Sequence, residues 1–392
     1  MPSDYQWISS DSQLAEAAVV WAEHSVLGID TEFIRTRTFY PIAALYQLAA
    51  GDHIFLIDPL QVEDWSPLRA VLTDPQRRLL MHACSEDMEV FAWHLKATPT
   101  AVFDTQVAAA FLGPQYSVSY SALVDDWLSV TIDKDQTRSD WLQRPLTPAQ
   151  LNYATADVRY LAPLYQAMRE KLETYGRWEW FLEECATLTE PKWPDPDTYY
   201  RNVRRAHHFS PRELARLRLL CTWRERRTRE LDRPRSRLVP DDVLVEVSAV
   251  GHWTRNTLYE RLKSARIRVP IGALADEILA LLAEADALPE SALPEPLTAP
   301  LTQSEARLYK RLRQLAVDKS EALGLAPELL GRRRDLEACL RHFQATGRLS
   351  DAYLGWRYPV IGAALEDMLS AFARQAGWPL AGQAQDQQTR TE

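Results

Sequence analysis

Glycine is scarce in this 392-residue sequence, at 13 positions. None of them builds a G-x-G-x-x-G or G-x-x-x-x-G-K-[ST] loop, which excludes the common dinucleotide and Walker-type cradles. No G-x-S-x-G elbow occurs, so the α/β-hydrolase arrangement of a nucleophilic serine is excluded as well. Cysteine is scarcer. Cys84, Cys185, Cys221 and Cys339 share no short spacing, so neither a zinc site nor a disulfide framework is expected, and a reducing cytoplasmic setting fits. No apolar run approaches the roughly 18 residues that a membrane helix needs. The N-terminal stretch MPSDYQWISSDSQ has no basic region leading into an apolar one, so it does not read as a secretory leader, and no membrane partner is expected.

What is present has globular proportions, with 46% apolar and 25% charged residues. The length exceeds one ordinary core, so two or three domains are expected. The net charge of −9 argues on its face against a nucleic-acid partner, but its distribution argues otherwise. Residues 1–200 carry 14 basic and 29 acidic side chains, net −15, whereas residues 201–392 carry 31 basic and 25 acidic, net +6. The stretch 201–240 alone has 13 arginines against 4 acids, net +9. This asymmetry fits a carboxylate-rich metal site in front and a polyanion-holding surface behind; the alternative is an arginine-rich helix that is simply solvated.

The first 115 residues alternate between strand and helix patterns. Asp11 to His24 reads as an amphipathic helix, and Val26 to Glu32 as an apolar strand with a polar end. Ala43–Ala49 and His53–Asp58 read as a hairpin turning at 50–52, and Leu79–His82 as a short buried strand. Ser85 is expected to cap a helix running to Leu95. Together these imply a mixed sheet with flanking helices. Thr147-Pro-Ala-Gln150 is a capping box, opening a helical pattern that runs to about Glu173 with no glycine or proline in it to break it except Pro163. Past a connector with Pro191, Pro194 and Pro196 the pattern is almost wholly helical. Ser210-Pro-Arg-Glu213 opens an arginine-rich helix, and residues 288–296 read as a second proline-rich linker. The helical segments on either side of that linker resemble each other. Val239-Pro-Asp-Asp-Val-Leu244 matches Ala326-Pro-Glu-Leu-Leu330, as two copies of one small domain would. Accordingly residues 1–195 are expected to form the α/β domain, and 207–288 and 300–378 two all-α domains. Residues 381–392 are expected to be a disordered tail.

Three groupings carry candidate chemistry. Asp30 and Glu32 stand two apart on one strand, so they share a face. Paired carboxylates repel unless a cation lies between them, and they suit hard divalent ions such as Mg²⁺ or Mn²⁺. A solvent-facing strand end would read the same way. Tyr153 and Asp157 stand four apart on a helix and present a phenol and a carboxylate together; a tyrosine half-buried against the sheet with an aspartate in water would read the same way. Asp87 opens a helix whose Met88, Phe91 and Leu95 face the core, which puts it at that face's rim; acids in a first turn also follow from the helix dipole alone. His82 and His94 are not at zinc spacing and read as a strand-end and a helix-surface histidine.

In combination these motifs resemble the ribonuclease D family of the DEDD exonuclease superfamily, in its tyrosine-containing branch. Val26-Leu-Gly-Ile-Asp30-Thr-Glu32-Phe33 with Arg35-Thr-Arg-Thr-Phe-Tyr-Pro41 resembles the first exonuclease motif. His82-Ala-Cys-Ser-Glu-Asp87-Met-Glu-Val-Phe91 resembles the second, and Tyr153-Ala-Thr-Ala-Asp157 the third. Phe103-Asp104-Thr105 and Arg138-Ser-Asp-Trp-Leu-Gln-Arg-Pro-Leu146 also fit that family. The paired helical segments resemble HRDC domains.

The resemblance implies an RNase H-like α/β fold and 3′→5′ hydrolysis releasing 5′-mononucleotides. It implies substrates among RNAs with a free 3′ end, above all precursor tRNA, and no obligatory protein partner. It implies that Asp30, Glu32, Asp87 and Asp157 hold two divalent metal ions and that Tyr153 completes the catalytic set. A phenol ordinarily titrates near 10, about three units too high for a general base at neutral pH, so Tyr153 is expected to orient the attacking water. Arg35, Arg138, Arg204, Arg205, Arg226 and Arg227 are the candidate RNA contacts. The alternatives are a DNA 3′→5′ exonuclease of the same superfamily and a non-catalytic RNA-binding scaffold. Four intact acids and Tyr153 argue against the scaffold.

Overall fold

A computed structural model describes residues 4–132, 139–191, 193–265, 267, 269–297 and 299–380. Arg138 and the expected tail at 381–392 lie outside the described residues. The chain forms two compact units. The first comprises residues 1–32, 43–191 and 301–392, and the second residues 33–42 and 192–300. Among the described residues no helix is long and apolar enough to cross a membrane.

The first unit is built on a six-stranded sheet. Its strands are β1 (Gln6–Ile8), β2 (Val26–Ile34), β3 (Ile42–Ala50), β4 (His53–Ile57), β5 (Arg78–Met81) and β6 (Val102–Asp104), in the order β1-β4-β3-β2-β5-β6. The sheet is mixed. β3 and β4 pair antiparallel around Gly51, whose φ of +57° is a conformation that suits glycine. β1 with β4, β2 with β5 and β5 with β6 pair parallel. Helices α1 (Asp11–Ala22), α2 (Ser66–Thr73), α3 (Ser85–Val90), α4 (Thr105–Leu112) and α5 (Tyr120–Leu128) lie between and after the strands. They are followed by α6 (Pro148–Arg159), α7 (Leu161–Thr174) and α8 (Trp178–Ala186).

Two local expectations are corrected. The helix from Thr147 begins with its capping box, Thr147 and Gln150 satisfying each other's backbone N–H, but it does not run unbroken to 173. It breaks at Tyr160 (φ −100°, ψ 1°) and restarts as α7. Pro163 is the physical cause: its ring excludes a helical carbonyl four residues back, and it has no N–H to donate. Ser85 is not the cap of α3. Cys84 holds that position without a side-chain bond, and α3 continues past Val90 as a π-helical turn over Phe91–Leu95.

The helices after residue 300 complete the first unit's core. They are α14 (Gln303–Leu323), α15 (Pro327–Gly331), α16 (Arg333–Thr346) and α17 (Ala363–Ala376), numbered after the five helices of the second unit. Leu308, Leu312, Leu340, Phe343 and Leu365 belong to one continuous buried cluster with Phe103, Phe111, Val158 and Phe181. The seam is polar as well as apolar. Ala326 N–H donates to Ala110 O (2.8 Å), and Trp356 N–H donates to the Glu183 carboxylate (3.1 and 3.2 Å). Arg357 Nη2 meets Glu184 Oε2 at 2.6 Å, and the Trp180 and Trp356 rings stack.

The second unit is helical: α9 (Pro211–Glu230), α10 (Arg235–Leu238), α11 (Asp241–Val250), α12 (Arg255–Ser264) and α13 (Ile271–Ala287). Ser210 and Glu213 form the expected capping box of α9. The core is aliphatic, with Leu214, Leu217, Leu220, Val243, Leu258 and Ile278. The arginines of α9 and its flank are largely committed to this unit's own structure. Arg212 pairs with Glu290, Arg216 with Asp286, and Arg224 with Asp241 and Glu225. Arg235 forks onto the fully buried Glu225 with two contacts of 2.6 Å. The segment 33–42 is gripped here too. Asp232 Oδ1 accepts from both the Phe39 and Tyr40 N–H groups at 2.9 Å, and the Arg229 and Arg235 guanidinium groups lie over the Phe39 ring.

Candidate active site

Period-two alternation puts Gly28, Asp30 and Glu32 of β2 on one sheet face. Gly28 marks which element covers that face. A Cβ there would stand 3.2 Å from Leu161 Cδ1 and 3.3 Å from Val158 O, so α6 and α7 lie almost in contact with the strand. α6 thereby brings Asp157 to the acidic end of β2. Thr31, on the opposite face of the strand, is buried, and its hydroxyl donates to Asp87 Oδ1 at the start of α3. The loop ahead of α3 is pinned by Asp104. That carboxylate accepts from Ala83 N (3.1 Å) and Cys84 N (2.9 Å) while capping α4 through Gln106 N and Val107 N.

The four carboxylates sense one another. Glu32 is pushed up to about 10 by burial first and then by Asp30, Asp157 and Asp87. Asp157 is raised to about 8 by burial and by Asp87. Burial, then Asp157, holds Asp30 well above the usual carboxylate range; burial, then Asp30, does the same for Asp87 against the Thr31 bond. Among the described residues no three or more His, Cys, Asp or Glu side chains are drawn together as a ready-made metal cage. Asp87 instead accepts from Thr31. The donor set is nonetheless what a hard divalent ion takes, all carboxylate oxygen. Asp157 Oδ2 is moreover buried with no hydrogen-bond partner, an oxygen whose lone pairs await a ligand.

The sign of these shifts gives a measurable consequence. Carboxyls raised above their unfolded values of 3.8 and 4.5 bind a proton more tightly when folded. That stability is present below the unfolded values and is lost as pH rises through about 8 and about 10. The melting temperature of metal-free protein should therefore fall by roughly 2 °C or more between pH 7 and pH 9. Mg²⁺ should remove the slope and Asp157→Asn should flatten it; a pH-independent melting temperature without metal would contradict the coupling.

Tyr153 lies half-buried one turn before Asp157, with its ring 6.0 Å from that of the buried Trp141. Trp141 belongs to a rigid corner. Arg144 forks onto the buried Asp58 (2.8 and 2.6 Å) and donates to Ala44 O and Trp141 O. Gln150 spans the same corner, donating to Asp140 O and accepting from Gln143.

Asp30, Glu32, Asp87 and Asp157 are thus brought within electrostatic reach of one another, and Tyr153 shares a helix face with Asp157. Among the arginines, Arg35 is half-buried in the 33–42 segment and Arg204 and Arg205 are exposed. Arg226 pairs with Asp197 at 3.0 Å and Arg227 with Glu230 at 3.2 Å, both at the surface. His94 is not a surface histidine. Its Nδ1 meets the Tyr46 hydroxyl at 2.7 Å inside a box with Trp65.

Sequence reasoning missed Tyr120. Its hydroxyl donates to Ala156 O (3.3 Å) and accepts from Tyr160 N–H (3.2 Å), bridging the break between α6 and α7 beside Asp157. Asp157 and Asp30 both push its phenol up, after burial. Nothing in the local pattern announces it, because a tyrosine in a first helical turn has no positional signature.

A family model described as 3′-5′ exonuclease matches residues 5–173, and an HRDC domain model matches residues 213–254. A ribonuclease D of Pseudomonas paraeruginosa is 40% identical over 374 residues, covering 94% of this chain and 98% of that one. A ribonuclease D of Escherichia coli is 35% identical over 376 residues, covering 94% and 99%. The crystal structure of Escherichia coli RNase D, described as an exoribonuclease involved in structured RNA processing, superposes with a TM-score of 0.86. It is 34% identical over 94% of this chain and 99% of that one.

Proposed function

Since the chain belongs to the ribonuclease D family, a line of metal-dependent 3′→5′ exoribonucleases, we propose that it trims the 3′ ends of precursor tRNAs and other structured RNAs. It releases 5′-mononucleotides and uses two divalent ions, Mg²⁺ or Mn²⁺. The observation that supports this best is the gathering of carboxylates from β2, α3 and α6 around Glu32, which burial first and then Asp30, Asp157 and Asp87 hold protonated.

Asp30, Glu32, Asp87 and Asp157 would hold the ions. When bound, such ions acidify the attacking water and oppose the charge that develops on the leaving 3′ oxygen. The chain's own residues do the rest. Tyr153 holds the attacking water by a hydrogen bond and aims it in line with the leaving oxygen. Trp141 and the Arg144 corner fix the phenol's direction, since a lost angle costs rate even where binding survives. Arg204 and Arg205 give phosphates an exposed landing surface. Arg226 and Arg227 can exchange their surface partners, pairs worth about 0–1 kcal/mol, for phosphate. The reader of an RNA end relies on shape and backbone, so little base preference is expected.

The test is a 5′-labelled tRNA carrying a short 3′ extension beside the matching DNA strand, each with Mg²⁺, Mn²⁺ or EDTA. A ladder of 3′-shortened RNA that EDTA abolishes is the expected outcome. Tyr153→Phe should lower kcat by about 10²-fold, at the low end for a lost positioning or proton-transfer group, while KM stays near the parent value. Cleavage unaffected by EDTA, or confined to DNA, would overturn the proposal.

A further inference from the structure

Strand β3 is apolar along most of its length, with Gln47 in the middle. Gln47 is completely buried, and neither Oε1 nor Nε2 of its carboxamide has a hydrogen-bond partner. A buried amide left unpaired is costly, and such a group calls for an explanation.

Its position supplies one. A Cβ on Gly28 would stand 3.4 Å from Ala49 Cβ, so Gly28 of β2 and Ala49 of β3 share a sheet face. β2 and β3 are neighbours in the sheet, joined by a connection too short for a parallel crossover, so they run antiparallel. Two residues on from Gly28 is Asp30, and two residues back from Ala49 is Gln47. Both therefore lie on that shared face, beside each other across the strands. Tyr46 confirms the alternation, since it points the other way into the box with Trp65, Phe91 and His94. The Gln47 face is the one covered by α6, whose Asp157 carries the other orphaned buried oxygen of the site. A donor without an acceptor and an acceptor without a donor thus lie on the same covered face.

We propose that Gln47 is a positioning residue for the reaction: once the divalent ions are bound, its Nε2, unpaired without them, donates to the Asp30–Asp157 carboxylate pair and fixes the direction in which those oxygens meet the ions. The role rests on the carboxylate reading given above. An amide suits it because it supplies donors without adding charge to a site already crowded with negative groups. Partners that orient metal-binding side chains typically alter metal affinity by about 10–100-fold when removed.

The test uses the full chain carrying Gln47→Met, which keeps the volume and removes the donors. Three quantities are read: Mn²⁺ binding by calorimetry without RNA, kcat and KM on the extended tRNA, and the metal-free melting temperature. The Mn²⁺ dissociation constant should rise about 10–100-fold, and kcat should fall by a similar factor. KM should stay within about twofold, and the metal-free melting temperature should hold or rise, since an unpaired polar group has been removed. A merely structural role would lower the melting temperature and leave Mn²⁺ affinity alone. If Gln47→Met does not fold, Gln47→Asn, with the same amide on a shorter reach, should show the same loss of Mn²⁺ affinity. Parental Mn²⁺ affinity and kcat in a folded variant would overturn the proposal. Asp30→Asn measured alongside separates the two levels. If it too keeps metal binding and cleavage, the carboxylate reading fails; if it loses both while the Gln47 variants keep both, only the role of Gln47 fails.

Discussion

Asp30→Asn and Asp157→Asn will each lower kcat on extended tRNA by about 10³-fold or more and leave the chain folded. The size follows from what these oxygens are proposed to do. Charge stabilisation by a held cation is worth several kcal/mol in the transition state, and about 4 kcal/mol is a factor of about 10³. The retained fold follows from electrostatics. Each substitution removes one of four mutually repelling groups, which are held above their usual range by burial and by one another. The metal-free variants should melt at or above the parent temperature at pH 8. Near-normal trimming by either variant would remove the proposed metal ligands from the mechanism. A loss of activity together with a collapse in melting temperature would mean that the carboxylates serve the fold instead.

Arg224→Ala will destabilise the second unit by about 3–5 kcal/mol, the usual cost of breaking a buried ion pair. Arg224 and Glu225 are both completely buried. Arg224 donates to Val239 O (2.9 Å) and Asp241 Oδ1 (2.6 Å), and its guanidinium lies over the Tyr199 ring. Removing it leaves Glu225 to Arg235 alone and frees the Val239 carbonyl. Urea unfolding followed by the fluorescence of Trp223 and Trp253 reads the loss. A change under about 1 kcal/mol would show that the Arg235 fork satisfies Glu225 by itself. The double change Arg224→Met with Glu225→Leu should recover most of the loss, since matched apolar residues often replace a buried pair without penalty.

The arginine-rich helix also shows where reading a sequence succeeds and where it stops. The Ser210 capping box was legible because both of its partners lie within four residues on one helix. The Thr147 box was legible for the same reason. The pairing of Arg212 with Glu290 and Arg216 with Asp286 was not, since those acids lie more than sixty residues away in sequence. The charge of residues 201–240 therefore overstates what is free to meet RNA. In the site, Asp30 and Glu32 stood out because a strand's period of two announces a shared face. Asp157 and Tyr153 stood out through the helical period. Tyr120 and Gln47 did not, because each acquires its meaning from a partner on another element. The break at Tyr160 is half-visible in the sequence: Pro163 is plain to see, but the helix yields three residues upstream of it.

The interleaving of the two units has a consequence for how the chain is made. Residues 33–42 leave the ribosome early, yet the groups that grip them, Asp232, Arg229 and Arg235, are about two hundred residues downstream. The sheet's own core likewise waits for Leu308, Phe343 and Leu365. Domains usually complete themselves in order during synthesis; here the first unit, though it begins the chain, waits for segments made after the whole of the second. The nascent chain must carry Phe39 and Tyr40 uncovered for about half of its synthesis and the flank of Phe111 for longer, so its demand on chaperones falls during elongation rather than after release.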